Sequence, residues 1–332
     1  MRKTTTKPAA LVSLLLTLLA VGLTPAPSPA EEPPALSVHD VARLRFVDEI
    51  QISPDGSRLA YTLIVPREAG VDEDGSAWSE LWVAGAEGRP RQYVGGEIHV
   101  GNIAWTGDGS AITFLAKRGP DEHNALYSIP VSGGEARRLL GHGDGIDEYA
   151  FSPGGKRLAF LATRAEAEER KVLREKGFEQ IVFEEEWRPV ELWMTEVEAD
   201  GGFTEPRAVE LAGSASELSW SPAGDKIAVA LAPTSLIDDE YMARRVHVLD
   251  AGSGEVAGAI ETGGKLGAVV WSPDGARLAL LAGVDVNDPI PGRLMVVDAA
   301  GGAPRQLNPG LIADAEARAV GNKRKTLKAV DL

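Results

Sequence analysis

Ile50-Gln51-Ile52-Ser53-Pro54-Asp55-Gly56-Ser57-Arg58-Leu59-Ala60-Tyr61 decides the fold, because variants of this phrase return along the chain. The echoes are Trp105-Thr106-Gly107-Asp108-Gly109, Phe151-Ser152-Pro153-Gly154-Gly155, Trp220-Ser221-Pro222-Ala223-Gly224 and Trp271-Ser272-Pro273-Asp274-Gly275, each with apolar residues on both sides. Every copy reads as a strand ending on an apolar residue, a tight turn and a second strand. Pro pre-sets φ, the Asp side chain bonds the backbone ahead of it, and Gly takes the left-handed position. Beyond the turn, large apolar and small residues alternate, as in Arg157-Leu158-Ala159-Phe160-Leu161-Ala162, the period of a strand. Two more strand-like runs follow each hairpin. They are Leu81-Trp82-Val83 and Arg91-Gln92-Tyr93 after the first, and Leu294-Met295-Val296-Val297 and Arg305-Gln306-Leu307 after the last.

Four strands in each repeat of about 50 residues is the arithmetic of a β-propeller blade. An isolated hairpin cannot bury a core, so radial packing is the stable solution. The sequence therefore predicts an all-β propeller over residues 31–310, with about five four-stranded blades starting near 50, 103, 149, 218 and 269. The long step between Ser152 and Ser221 holds an insertion. Residues 164–177 are rich in Ala, Glu, Lys and Arg and close on Gly177, which predicts a short exposed helix,. Insertions of this kind map to one face of a propeller and often carry binding.

The chain has 332 residues, 44% of them hydrophobic and 25% charged, an ordinary globular balance,. Its formal net charge of -15 argues against a nucleic-acid partner,. The absence of Cys excludes disulfides, thiolate metal sites and a cysteine nucleophile, and five scattered His make no metal centre,. No cofactor is called for. Residues 1–30 read as a signal peptide. Arg2, Lys3 and Lys7 precede an apolar stretch from Ala9 to Leu23, and Ser28-Pro29-Ala30 supplies small residues for cleavage,. Export to the periplasm or beyond is the expectation, with no membrane span after cleavage.

Ser37–Leu44, the Ser-Pro-Asp-Gly copies and the mid-chain helical insertion together resemble the N-terminal propeller of prolyl-oligopeptidase-family serine peptidases. The resemblance is to their acylaminoacyl-peptidase and dipeptidyl-aminopeptidase branches, and it covers about residues 36–310. The turn motif alone is shared with TolB-like, WD40-like propellers. The peptidase resemblance implies a propeller that sits over an α/β-hydrolase domain and restricts entry to short peptides. This sequence holds no Gly-x-Ser-x-Gly nucleophile elbow, and Gly141-His142-Gly143-Asp144-Gly145 reads as a connecting turn,. No catalytic residue is assigned.

The expected role is thus substrate gating and selection, with a peptide substrate, or a hydrolase domain supplied elsewhere, as partner. The alternative is a non-enzymatic TolB-like propeller that binds a protein or peptide. Family propellers commonly have seven or eight blades. Residues 311–332 lack the turn motif and carry Lys323-Arg324-Lys325, so they read as a truncated sixth blade or as the tail of a standalone five-bladed ring. A truncated ring would expose a blade edge and self-associate.

Val182-Phe183-Glu184-Glu185-Glu186 resembles the segment with which dipeptidyl-peptidases hold a free α-amine, which implies amine recognition by Glu185 and Glu186,. Val71-Asp72-Glu73-Asp74-Gly75-Ser76 lacks the ligand spacing of a calcium loop and reads as a hairpin tip,. Trp105, Trp220 and Trp271 recur one residue before the turn and are assigned to packing between blades,. Arg58, Lys156, Arg157, Lys226 and Arg277 are expected to be exposed hairpin residues.

Overall fold

The computed structural model describes residues 36–85, 88–180, 182, 184–287 and 292–307. The signal peptide expected at 1–30 and the tail at 311–332 lie outside them. The chain divides into two units, Met1–Leu44 and Arg45–Leu332. In the first, Ser37 starts the short helix α1 (Val38–Ala42) with a capping box. The Asp40 amide donates to Ser37 Oγ and the Ser37 amide donates back to Asp40 Oδ2, which satisfies two of the donors that a helix start leaves open.

Among its described residues, the second unit holds twenty strands in five antiparallel four-stranded meanders, with the strands of each in sequential order along the sheet. Blade 1 is β1 (Phe46–Ile52), β2 (Arg58–Val65), β3 (Trp78–Gly85) and β4 (Arg91–Val94). Blade 2 is β5 (Gly101–Trp105), β6 (Ala111–Ala116), β7 (Ala125–Pro130) and β8 (Arg137–Leu140). Blade 3 is β9 (Glu148–Phe151), β10 (Arg157–Thr163), β11 (Val190–Glu196) and β12 (Arg207–Val209), with α2 (Glu168–Glu175) between β10 and β11. Blade 4 is β13 (Ser214–Trp220), β14 (Lys226–Ala232), β15 (Arg245–Asp250) and β16 (Val256–Ala259), with α3 (Ile237–Met242) before β15. Blade 5 is β17 (Leu266–Trp271), β18 (Arg277–Ala282), β19 (Arg293–Asp298) and β20 (Arg305–Gln306).

The turn chemistry is nearly identical from blade to blade. In blade 1 the Gly56 amide donates to Ser53 O at 2.8 Å with Gly56 at φ 70. Ser53 Oγ donates to Asp55 at 2.6 Å and receives the Arg58 amide at 2.9 Å. Gly109, Gly155, Gly224 and Gly275 hold the same left-handed position, where a side chain would be strained. A Cβ on Gly224 would also stand 3.3 Å from Pro153 Cδ of the preceding blade, so the turns themselves stack.

Successive blades bury apolar faces against each other. Ala60, Leu81 and Val83 of blade 1 meet Ile103, Ile112 and Phe114 of blade 2. Leu161 and Leu192 of blade 3 meet Leu218, Ile227 and Val229 of blade 4. Val246 and Val248 of blade 4 meet Leu278 and Leu280 of blade 5. This is a β-propeller, the architecture the repeat specifies, and two alternating faces per strand supply its leading and trailing surfaces.

Candidate functional site

The first strands of neighbouring blades touch, β1 on β5 and β9 on β13. Four residues before each turn Ser or Thr, these strands carry Glu49, Asn102, Glu148, Glu217 and Ala268 in blade order. Irregular pairing beside this position, as between Val47 and Ile50 and between Ala215 and Glu217, turns the side chain toward the next blade,. Glu49 accepts the amides of Asn102 and Ile103, both at 2.8 Å. Asn102, itself at φ 50, donates to Asp147 O at 3.0 Å. Glu148 accepts the Leu218 amide at 3.2 Å. Glu217 holds Arg244 at 2.8 Å, and that guanidinium donates on to Leu266 O in blade 5 at 3.2 Å. The polar side chain at this position thus helps fasten each of these blades to its successor.

The tryptophans make the return stitch. Trp105 donates to Gln51 O at 3.0 Å, Trp220 to Ala150 O at 2.9 Å and Trp271 to Ser219 O at 3.3 Å. Blade 3 has Phe151 at this place, and the Tyr149 hydroxyl bonds Thr113 Oγ1 at 2.8 Å instead. Arg157 corrects the sequence reading, since it is no exposed hairpin residue. It lies over the Trp220 ring at 5.0 Å, donates to Ala251 O at 2.8 Å and also donates to Gly224 O.

A cavity of about 130 Å³ opens beside this seam, lined by Glu148, Glu217, Ser219, Val229, Val246 and Val269 among others. Burial pushes the Glu148 carboxyl up to about 7; the Leu218 amide opposes this and the Glu217 charge adds to it,. A carboxyl poised near neutrality can hold or release a proton. No His lines the cavity to activate the Ser219 hydroxyl.

The insertion presents a second surface. The helix α2 has no buried residue, and Val172, Leu173, Phe178 and Trp187 are all exposed around it. Arg170 organises the segment by donating to Phe178 O and Gln180 O and pairing with Glu186 at 3.2 Å. Glu186 is therefore already paired with a cation, while the Glu185 amide donates to Val182 O at 3.2 Å. Arg188 pairs with Asp144 and holds its carboxyl below the usual range, which ties the insertion to the Gly141–Gly145 loop. His142 of that loop packs 4.2 Å from Trp193 and 5.3 Å from Phe160, and burial lowers its pKa. In the loop at 71–76, Arg67 donates to Ser76 O and Glu73 O. Among the described residues no cluster of His, Asp or Glu could hold a metal, and no helix is long and apolar enough to cross a membrane.

The residues four before the turn escaped the sequence reading. Their signal was present as a Glu, Asn, Glu, Glu series at a fixed distance before the turn.

No family model matches the chain. A stretch of 134 residues, 40% of this chain and 20% of the other, is 28% identical to an uncharacterized peptidase, YuxL, of Bacillus subtilis strain 168. The fold is similar to a TolB from Agrobacterium tumefaciens, with a TM-score of 0.50 and 16% identity over 79% of this chain and 80% of that one. It is also similar to the acylaminoacyl peptidase of Pyrococcus horikoshii, with a TM-score of 0.53 and 12% identity over 81% of this chain and 40% of that one. An acylaminoacyl peptidase bound to Z-Gly-Gly-Phe-chloromethyl ketone gives a TM-score of 0.54 at 13% identity, again over 40% of that chain. The chain thus spans well under half the length of the peptidases it matches. By its fold, this chain is a β-propeller similar to TolB and to the propeller region of acylaminoacyl peptidase.

Proposed function

We infer that the chain is the substrate-gating and selecting propeller of an exported serine peptidase acting on short peptides, and that it is not catalytic itself. The supporting observation is the pairing of a peptidase-like stretch of sequence with a propeller fold that projects an acidic, partly apolar insertion from blade 3. In this reading Glu185 and Glu186 take the α-amine of the peptide. An incoming ammonium displaces Arg170 from Glu186 and lies between the two carboxylates, a charge-assisted contact,.

The test is titration of the purified chain with short peptides whose N-terminus is free or acetylated. Free-amine peptides should bind at least about tenfold more tightly, and Glu185→Gln with Glu186→Gln should remove the difference. Equal affinity for both forms would refute amine recognition, and no binding to either would refute selection by this chain. A second reading, a TolB-like propeller that binds an envelope protein, is favoured by the 80% coverage of the TolB chain against 40% of the peptidase. It requires a stoichiometric complex that forms without any peptide.

A further inference from the structure

Each of blades 1 to 4 covers its trailing face with the leading face of the next blade. Two such faces have no described neighbour. On the leading side of blade 1, Ile50 is 58% exposed and Ile52 65% exposed, and the ladder places Val47, Leu59, Tyr61 and Trp82 on the same face. On the trailing side of blade 5, Val270 is 61% exposed, in a row with Ala279 and Val296 and beside Leu281 and Leu294.

We propose that the trailing face of blade 5 binds the leading face of blade 1 of a second copy of this chain, head to tail. This contact continues an interface that the molecule already builds four times. Blade 1 carries the one leading face left open among the described sheets. Two of the repeat's couplings are available to it. Gly56 has nothing within 4 Å of a Cβ position, whereas a Cβ on Gly109, Gly224 or Gly275 would meet the preceding blade's turn Pro within 3.3–3.6 Å. Pro273 can therefore seat on Gly56 of the copy. Arg277 stands where Arg157 stands in blade 3, and so reaches the Gly56 carbonyl as Arg157 reaches Gly224 O. The other two couplings are missing. Blade 5 has Ala268 in place of the Glu or Asn, and blade 1 has Ile52 in place of the Trp. The contact is thus mainly apolar and weak, and salt strengthens it by screening the repulsion between acidic copies,. A heterologous contact that does not close gives chains without a fixed end.

Sedimentation velocity of the purified chain over about three decades of concentration tests this. The mean mass should climb with concentration and not level off at a dimer. Ile50→Asp and Val270→Asp should each be monomeric, because each blocks one half of the contact. Mixed together they should form a one-to-one dimer that grows no further, since each supplies the half that the other lacks. Ile52→Trp should tighten association roughly fivefold to tenfold by adding an indole donor for Val270 O. Three results would overturn the proposal: a wild-type chain that stays monomeric throughout, Val270→Asp that still self-associates, or a mixture that does not pair.

Discussion

At the scale of one residue, Glu148 shows how a fastening becomes a titrating group. Glu49 receives two amides at the equivalent position, whereas Glu148 receives one and faces both a cavity and the Glu217 carboxylate. Burial therefore dominates, and the carboxyl rises from 4.5 to about 7. Between those values the folded chain keeps a proton that the unfolded chain has released. Stability accordingly falls as pH rises through that window and levels off above it. Urea unfolding from pH 4.5 to 8 should show a decline on the order of 2 kcal/mol that Glu148→Gln flattens. An unchanged slope in the variant would assign the effect to another group. The sequence displayed the periodic position but not its environment, because the Leu218 amide and the cavity wall come from distant strands.

At the scale of the element, a blade is a meander specified locally and fastened from outside. The turn residues and the alternating strands are legible because Pro, Gly and a period of two act within a few residues. The stitches are not, since each joins groups about 50 residues apart. Glu49→Ala leaves the Asn102 and Ile103 amides without an acceptor and should cost about 2–3 kcal/mol,. Trp105→Phe keeps the ring but loses the bond to Gln51 O and should cost about 1 kcal/mol,. Denaturant midpoints of the two variants check both values, and a larger loss for Trp105→Phe would reverse the assignment of strength. The insertion was legible as a helix from composition. Its pairing of Arg170 with Glu186 depends on the chain returning after α2 and had no local signal.

At the scale of the molecule, the blades are not equal. Among the described residues, blades 2, 3 and 4 pack on both faces, whereas blades 1 and 5 pack on one. Opening a terminal blade exposes one interface and opening an inner blade exposes two, so the ends are the least protected units. Hydrogen exchange of the dilute chain should find the amides of β6, β10 and β14 at least about tenfold better protected than those of β2 and β18. Uniform protection would mean that the five blades open together. The strongly acidic surface slows encounter between copies, so low salt is the condition in which the monomer is measured cleanly,.

By itself the sequence determined the repeat, the blade meander, the missing nucleophile elbow and the exclusion of thiol chemistry, because each follows from residue identity or short-range spacing. Only the tertiary structure decided how Glu49, Asn102, Glu148 and Glu217 bridge the blades and why Arg157 lies inward. It also decided that Glu186 faces Arg170, and that among the described residues the outer faces of blades 1 and 5 have no neighbouring sheet. Those outcomes depend on which strand lies beside which, and the energy that sets them, burial of one sheet's face on another's, has no counterpart in any short stretch of the chain.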